Sequence, residues 1–394
     1  MIGNGWTDSK DELARDRRPA PDAPRRVAIV TGTRAEFGLL RPVMEAVRDR
    51  PELELLVIAA GAHLIQPAET FREVKKHFEV ADSIPMQTVG RTGRWADVEA
   101  LGRGVARFGR SFERLAPAWV VVLGDRIEAF AAASAASVGG IAVCHIHGGD
   151  RAEGVADEAM RHAITKLAHL HLAASEGSAE RIRRMGERPE YVRVIGSPAL
   201  DGLDRVEPMG DAEFEELGSP EVALLTHPIG RTDEAEEHAT SLTLEALAGV
   251  RTLALHPNHD PGREGVMRAL LSAGENVRLV KHLERARFLS LLKRLGRSGG
   301  ALVGNSSAGL IEAGSLGCPA VNIGDRQRGR EHASNVVHAA ESLSAIREAL
   351  AIARTLEGPF DTPFGDGCAG ARAAAALGEV NPIDPAVRRK LCAY

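Results

Sequence analysis

Several absences bound what this chain can be. Its four cysteines, Cys144, Cys318, Cys368 and Cys392, lie far apart and form no CxxC pair. That excludes a zinc ribbon or a dithiol redox site and leaves free thiols in a reducing compartment. No stretch is apolar for about 18 residues, the length a bilayer span needs, so no membrane segment is expected. The opening segment MIGNGWTDSKDELARDRRPAPDAPRR carries charges and prolines without the apolar centre of a signal peptide. Residues 1–24 read as a flexible tail, and the protein as cytoplasmic. Positive charge is not in excess: the net charge is −5, so no basic field draws the chain to nucleic acid. The turn after the first strand pattern, TGTRAEFG, is not GxGxxG, so no dinucleotide fingerprint is present. With neither HExxH nor a cysteine pair, no metal and no cofactor are expected.

What is present is an ordinary globular composition, 44% apolar and 26% charged in 394 residues. That is enough for two domains and a large core without disulfides. Near-continuous apolar runs recur, each followed by a helical pattern: RVAIVTG (Arg26–Gly32), ELELLVIAAG (Glu52–Gly61), AWVVVLGD (Ala118–Asp125), IAVCHIHGG (Ile141–Gly149), HLHLAAS (His169–Ser175) and YVRVIGS (Tyr191–Ser197). Strands covered on both faces read this way, and alternation of β and α predicts a doubly wound parallel sheet. After the connector SPALDGLDRVEPMGDAEFEELGSP the rhythm restarts with EVALLTHP, RTLALHPN, NVRLVKHL, GGALVGNS and PAVNIGD. The expectation is two Rossmann-like α/β domains, residues 25–200 and 201–365. A C-terminal helical segment, about 366–394, is assigned to the first. A ligand cleft is expected between the strand C-termini of the two sheets.

Polar residues gather where these strands end. Arg34, in TGTRAEFG, can clamp a phosphate in bidentate fashion; the plain alternative is a surface arginine. GDRIEAF places Asp125 and Arg126 at a central strand end, with Asp125 otherwise a helix N-cap. In HIHGGDRAEGVADEAMRHAITK, His145 and His147 alternate on a strand and share a face. Asp157 and Arg161 lie four apart on a helix, as do Glu158 and His162. A carboxylate beside histidine in a cleft suits proton transfer; the alternative is a helix-surface ion pair of little worth. His227 ends the first strand of the second series. His256, Asn258, His259 and Asp260 end the next, and His282 another, together a binding rim. In GNSSAGLIEAGSLG, Ser306 and Ser307 sit at a helix start whose unpaired N–H groups suit phosphate. Gly304 and Gly309 admit close backbone approach, and Glu312 can accept hydrogen bonds from two sugar hydroxyls. The alternative makes Ser307 an N-cap and Glu312 a complement to the helix dipole.

Taken in order, TGTRAEFG, LGDRIEA, HIHGGDRAEG, DEAMRHAITKLAHLHL, THP, HPN, GNSSAGLIEAGSLGCPAVNIGDRQRGRE and Asn335 resemble the UDP-N-acetylglucosamine 2-epimerases from about Arg25 to about Val337. The resemblance is nearer the hydrolysing branch of sialic-acid-type pathways. It implies the two-domain fold of the inverting nucleotide-sugar glycosyltransferases and retaining phosphorylases (GT-B-like), with UDP in the interdomain cleft. It further implies a UDP-sugar substrate and a homo-oligomer, a dimer or a dimer of dimers. By motif, Arg34, His227, Ser306 and Ser307 match residues that hold the diphosphate, and Glu312 the ribose ligand. Asn258 and the segment at His282 match the nucleotide side, and Arg326 another substrate-contacting arginine. Asp125, Asp157, Arg161 and His227 match positions implicated in catalysis. At His147 other members carry glutamate, whereas the bacterial hydrolysing branch carries HIHGG.

The implied chemistry removes the C2 proton and expels UDP from C1 to give a 2-acetamidoglucal, to which water adds. The products are N-acetylmannosamine and UDP. Asp125, Asp157 and His147 are the candidate acid–base groups, with Asp157 as base and Arg161 as its orienting partner the assignment carried forward. The non-hydrolysing epimerases tend to show GDT and DSGG where this chain has GDR and GNSS. A related epimerase of GDP- or 2,4-diacetamido sugars, a glycosyltransferase on the same fold and a nucleotide-sugar-binding protein without chemistry are the other readings.

Overall fold

The computed structural model describes residues 23–65, 70–91, 93–151, 158–258 and 260–393. The first domain runs β1 (Arg25–Thr31), α1 (Arg34–Arg48), β2 (Leu53–Ala60), α2 (Phe71–His77), β3 (Val80–Ile84), α3 (Arg94–Leu115), β4 (Trp119–Leu123), α4 (Ile127–Val138), β5 (Ala142–Ile146), α5 (Glu158–Leu167), β6 (Leu170–Ala173), α6 (Glu176–Arg184) and β7 (Val192–Val194). The second runs α7 (Asp211–Glu216), β8 (Val222–Leu225), α8 (Asp233–Ala246), β9 (Thr252–Leu255), α9 (Arg263–Leu271), β10 (Val277–Val280), α10 (Arg285–Arg297), β11 (Ala301–Gly304), α11 (Ser307–Leu310), α12 (Glu312–Ser315), β12 (Ala320–Ile323), β13 (Val336–Ala339) and α13 (Leu343–Ala353), followed by α14 (Ala369–Glu379) and α15 (Pro385–Arg388).

Both sheets are parallel, as the apolar runs predict. The first has seven strands in the order β3-β2-β1-β4-β5-β6-β7 and the second six in the order β10-β9-β8-β11-β12-β13. Each reverses direction of winding at one point, β1/β4 and β8/β11, and crevices of open α/β sheets form at such points. Central strands have no wet face: all five residues of β4 are buried. One buried layer joins that sheet to α1 and α14 and another joins it to α3 and α4. Burial of side chains such as Trp119, Val120 and Val121 stabilises the fold by about 2 kcal/mol each at most. Two strands carry too weak a pattern to be expected from sequence, β3 and β13. Both are edge strands and half-wet, VADSI and VVHA. α3 starts at Arg94, directly after Gly93 at φ 96°.

The chain crosses between domains twice, side by side. Ser197 N–H donates to the Phe364 carbonyl (2.8 Å), and the Asp201 carboxylate accepts the N–H groups of Ala369 (2.9 Å) and Gly370 (2.7 Å). Gly196, at φ 85°, lies where a Cβ would come 2.7 Å from the Phe364 carbonyl. α14 then returns to α1, and the Arg25 guanidinium caps its end through the carbonyls of Leu377 and Gly378. Among the described residues no helix is long and apolar enough to cross a membrane.

Candidate active site

At the β8/β11 crevice the backbone dictates the residue. Gly304 sits at φ 134°, and a Cβ there would lie 2.2 Å from the Leu225 carbonyl, so only glycine fits. Asn305 follows, 7% exposed. Its Oδ1 accepts the His227 N–H and its Nδ2 donates to the His227 carbonyl, both at 2.8 Å. Its own carbonyl accepts from Arg326 Nη1 (3.1 Å) and Gln327 Nε2 (2.9 Å). One buried asparagine thus ties together the loops after β8, β11 and β12. The Asn258 N–H donates to His227 Nδ1 (3.1 Å), which puts the imidazole proton on Nε2. Burial, then the charge of Arg326, pushes the His227 pKa down to about 3. His227 is therefore a neutral donor through Nε2–H. Arg326 is held beside it, its pKa lowered by burial against the pull of Asp260, and its Nε is buried without a protein partner.

The serine pair divides differently from the expected N-cap at Ser307. Ser306 is the cap, accepting the Ala308 N–H at 3.3 Å, while Ser307 opens α11. The helix breaks at Ile311 (φ −108°, ψ −66°), so Glu312 begins a second short turn instead of lying within one helix. Glu312 does more than complement a dipole: its Oε1 accepts from Arg285 Nη1 (3.1 Å), and Arg285 Nη2 donates to the Ala199 carbonyl at the domain crossing (3.0 Å).

The first domain supplies carboxylates. Asp125 does not cap α4, whose N-cap is Arg126. Its Oδ2 pairs with Arg161 Nη2, while Oδ1 accepts no hydrogen bond among the described residues. Arg161, 3% exposed, also donates to Glu158 Oε2 (2.6 Å) and the Asp150 carbonyl (3.0 Å). Its pKa falls to about 10 through burial and the nearby Arg330 charge. The carboxylates holding Arg161 are thus Asp125 and Glu158; Asp157, expected as its partner and as the base, lies outside the described residues, as do residues 1–22 of the expected tail and His259.

His145 and His147 do not share a face, because β5 ends at Ile146 and His147 turns into the left-handed region at φ 61°. His145 is a core histidine: Nε2 bonds the Gly124 carbonyl (2.8 Å), and burial lowers its pKa to about 3. His147 Nδ1 instead faces Asp150 Oδ2 (2.7 Å), and Nε2 faces the Ser197 hydroxyl (3.0 Å). Asp150 Oδ1 accepts the Ser178 hydroxyl (2.7 Å). Burial works to raise the Asp150 pKa, yet His147, the Arg330 charge and the Ser178 hydroxyl hold it below the ordinary value. Sequence reasoning left out Asp150, Ser197 and Asn305; Asp150 had a signal, a carboxylate directly after HIHGG, and so did Asn305, the first polar residue after the β11 run, but Ser197 had none.

The remaining candidates are spread over both domains. Arg34 opens α1, with Nε 3.7 Å from Glu73 Oε2, and its charge, after burial, lowers the pKa of His282 on the other domain. Arg126 is exposed, 3.7 Å from Glu128 Oε2. Behind it the β1/β4 crevice is filled by two buried carboxyls. Glu128 Oε1 accepts from Gln87 Nε2 (2.8 Å), and Glu36 Oε2 accepts the Gly32 N–H (2.8 Å). Burial and then Glu128 raise the Glu36 pKa to about 7, against Arg126. Below the unfolded carboxyl pKa this costs nothing; stability is lost as pH rises toward 7, by on the order of 3 kcal/mol. Denaturant unfolding of Glu36→Gln and the parent at pH 5 and pH 8 should show the variant gaining on the parent at pH 8 only. An equal difference at both values would refute the raised pKa.

Two parallel-sheet α/β domains, of seven and six strands, joined by side-by-side crossings, define a GT-B-like protein. The family model described as UDP-N-acetylglucosamine 2-epimerase matches residues 45–378, and the chain belongs to that enzyme family. It is 33% identical over 385 residues to the Legionella pneumophila UDP-N,N'-diacetylbacillosamine 2-epimerase (hydrolyzing), covering 94% of this chain and 100% of that one. It is 30% identical over 356 residues to a Neisseria meningitidis UDP-N-acetylglucosamine 2-epimerase, covering 86% and 89%. The solved structure of UDP-GlcNAc 2-epimerase from Neisseria meningitidis bound to UDP-GlcNAc shares the fold, with a TM-score of 0.73 at 19% identity over 89% of this chain and 99% of that one.

Proposed function

We propose that the protein is a hydrolysing UDP-N-acetylglucosamine 2-epimerase. The observation that supports the reading most is the neutral His227 donor tied beside Arg326 and the Ser306 turn in the second domain, with the Asp125–Arg161 pair in the first; we take these as the anion-holding and carboxylate walls of one interdomain cleft. His227 Nε2–H, Arg326, the Ser306–Ser307 turn and Arg34 take the diphosphate, and Glu312 the ribose once Arg285 yields it. Asn258 and His282 lie on the nucleotide side, and Arg126 on the sugar side. Asp125, oriented by Arg161 with Oδ1 open, takes the C2 proton. The C1–O bond breaks with its electron pair leaving on UDP, and the negative charge that develops there meets preorganised donors. The product at this stage is the 2-acetamidoglucal. Water then adds its hydroxyl at C1 and a proton at C2 on the opposite face, giving N-acetylmannosamine. His147, with both ring nitrogens occupied, orients Asp150 more readily than it contacts the sugar; Asp157 remains a second candidate base by its motif.

GDR and GNSS, together with the full-length Legionella relative named as hydrolyzing, support the hydrolysing mode. That relative's name also favours one second reading, the same reaction on a UDP-linked 2,4-diacetamido sugar. Proton and phosphorus NMR in heavy water tests both. Incubation with UDP-N-acetylglucosamine should release UDP and N-acetylmannosamine deuterated at C2. UDP-N-acetylmannosamine without free UDP would refute the hydrolysing mode, and turnover of the diacetamido sugar alone would establish the second reading.

A further inference from the structure

Glu331 has no role in the reading above, yet it forms the clasp between the two walls. It lies in the second-domain loop between β12 and β13, which Asn335 anchors by donating to the carbonyls of Gly309 (3.2 Å) and Cys318 (2.8 Å). The Glu331 carboxylate crosses to the start of α6 in the first domain. There Oε2 accepts from the Ser175 hydroxyl (2.6 Å) and Arg181 Nη2 (2.7 Å). Ser175 is the N-cap of that helix, accepting the Ser178 N–H, so the anion also sits at a favourable dipole end. Gly177 makes the seat: a Cβ there would lie 2.6 Å from Glu331 Oε1 and 2.8 Å from Oε2.

The same contacts reach the chemistry. Ser178 donates to Asp150, Asp150 pairs with His147, and Arg181 Nε donates to the Gly149 carbonyl (2.5 Å). One residue before the clasp, Arg330 has its Nε buried without a protein partner, and its charge acts on both Asp150 and Arg161. We propose that Glu331 is a positioning residue: its carboxylate, seated on Gly177, docks the 325–331 loop onto α6 and so sets Arg330 against the Asp150–His147 pair and Arg161. This rests on the epimerase reading of the cleft. It weighs on turnover more than on UDP binding: of the groups assigned to UDP only Arg326 lies in the docked loop, and its bond to the Asn305 carbonyl (3.1 Å), with that of Gln327 (2.9 Å), holds it independently of Glu331.

Gly177 supplies the test. It lies inside α6, where alanine is the better helix former, and the atoms it would meet are the end of a movable side chain. Gly177→Ala should therefore leave the fold as stable as before, or more so, while pushing the carboxylate off its seat. Expected are a fall of about 10- to 100-fold in kcat and in C2 deuterium exchange, and UDP affinity by calorimetry within about 2-fold of the parent. Glu331→Ala should match it, and adding Gly177→Ala to Glu331→Ala should lower kcat by less than about 2-fold further. Parent-like kcat in Gly177→Ala, or independent multiplication of the two effects, would overturn the proposal. Hydrogen exchange separates this from failure of the epimerase reading. Even if no nucleotide sugar is turned over, peptides from 325–335 and 176–184 should exchange faster in Glu331→Ala than in the parent, and equal rates would refute the clasp.

Discussion

Asp125→Asn should fold, bind UDP as the parent does, and lose C2 deuterium exchange by about a thousandfold or more. The substitution keeps the volume and an oxygen for Arg161, so the change falls on charge and basicity. Arg161 retains Glu158 at 2.6 Å and the Asp150 carbonyl at 3.0 Å, which keeps its buried guanidinium paired and limits structural damage. General-base contributions run to about 10²–10⁴-fold. A C2 proton is weakly acidic, which puts the expectation at the upper part of that range. UDP affinity should not move, because Asp125 is not one of the groups assigned to the diphosphate. Exchange within about 10-fold of the parent would remove Asp125 as base and shift the role to Asp157, whose own asparagine variant is the natural comparison.

The second large effect is expected at Asn305, a residue that touches no reacting atom. Asn305→Ala deletes both bonds to the His227 backbone, at 2.8 Å each. It leaves a partly buried N–H and C=O to find water, a cost of about 2 kcal/mol in unfolding free energy. The loop carrying His227 then loses its register against the Ser306 turn, and UDP affinity should fall by about 10- to 100-fold. Asn305→Asp is the sharper probe. It keeps an acceptor for the His227 N–H but turns a second oxygen toward the His227 carbonyl, so it should bind UDP no better than the alanine variant. Parent-like UDP affinity in either variant, by calorimetry, would show that the clamp does not shape the diphosphate site.

The legible part of the site was the part that is local in sequence. Strand ends followed by Thr-Gly-Thr-Arg, Gly-Asp-Arg, Thr-His-Pro or Gly-Asn-Ser-Ser announce a rim, because β-strands buried on both faces must be apolar and any polar residue at their ends faces the crevice. The helix start at Ser306–Ser307 is visible for the same reason, although which serine caps it depends on backbone angles. His147 was misplaced by the simple alternation rule: the strand stops one residue earlier, and the glycines that follow let the chain turn into the left-handed region. Ser197, Glu331 and Gly177 gave no signal. Their partners lie 50 and some 150 residues away, and nothing in a local pattern says that a serine at a domain crossing meets a histidine, or that a glycine in a helix makes room for a glutamate.

The sequence by itself determined two parallel α/β domains and the rim between them, since apolar period and strand-end chemistry are short-range properties of the chain. It also carried the family, through motifs spread from Arg25 to Val337. Only the tertiary structure decided which carboxylate meets Arg161, which nitrogen of His227 bears the proton, and that Asn305 and Glu331 bind the loops together. Those are contacts between side chains far apart in sequence, set by how two sheets and their crossings pack, and by burial that changes the charge states of the groups brought together.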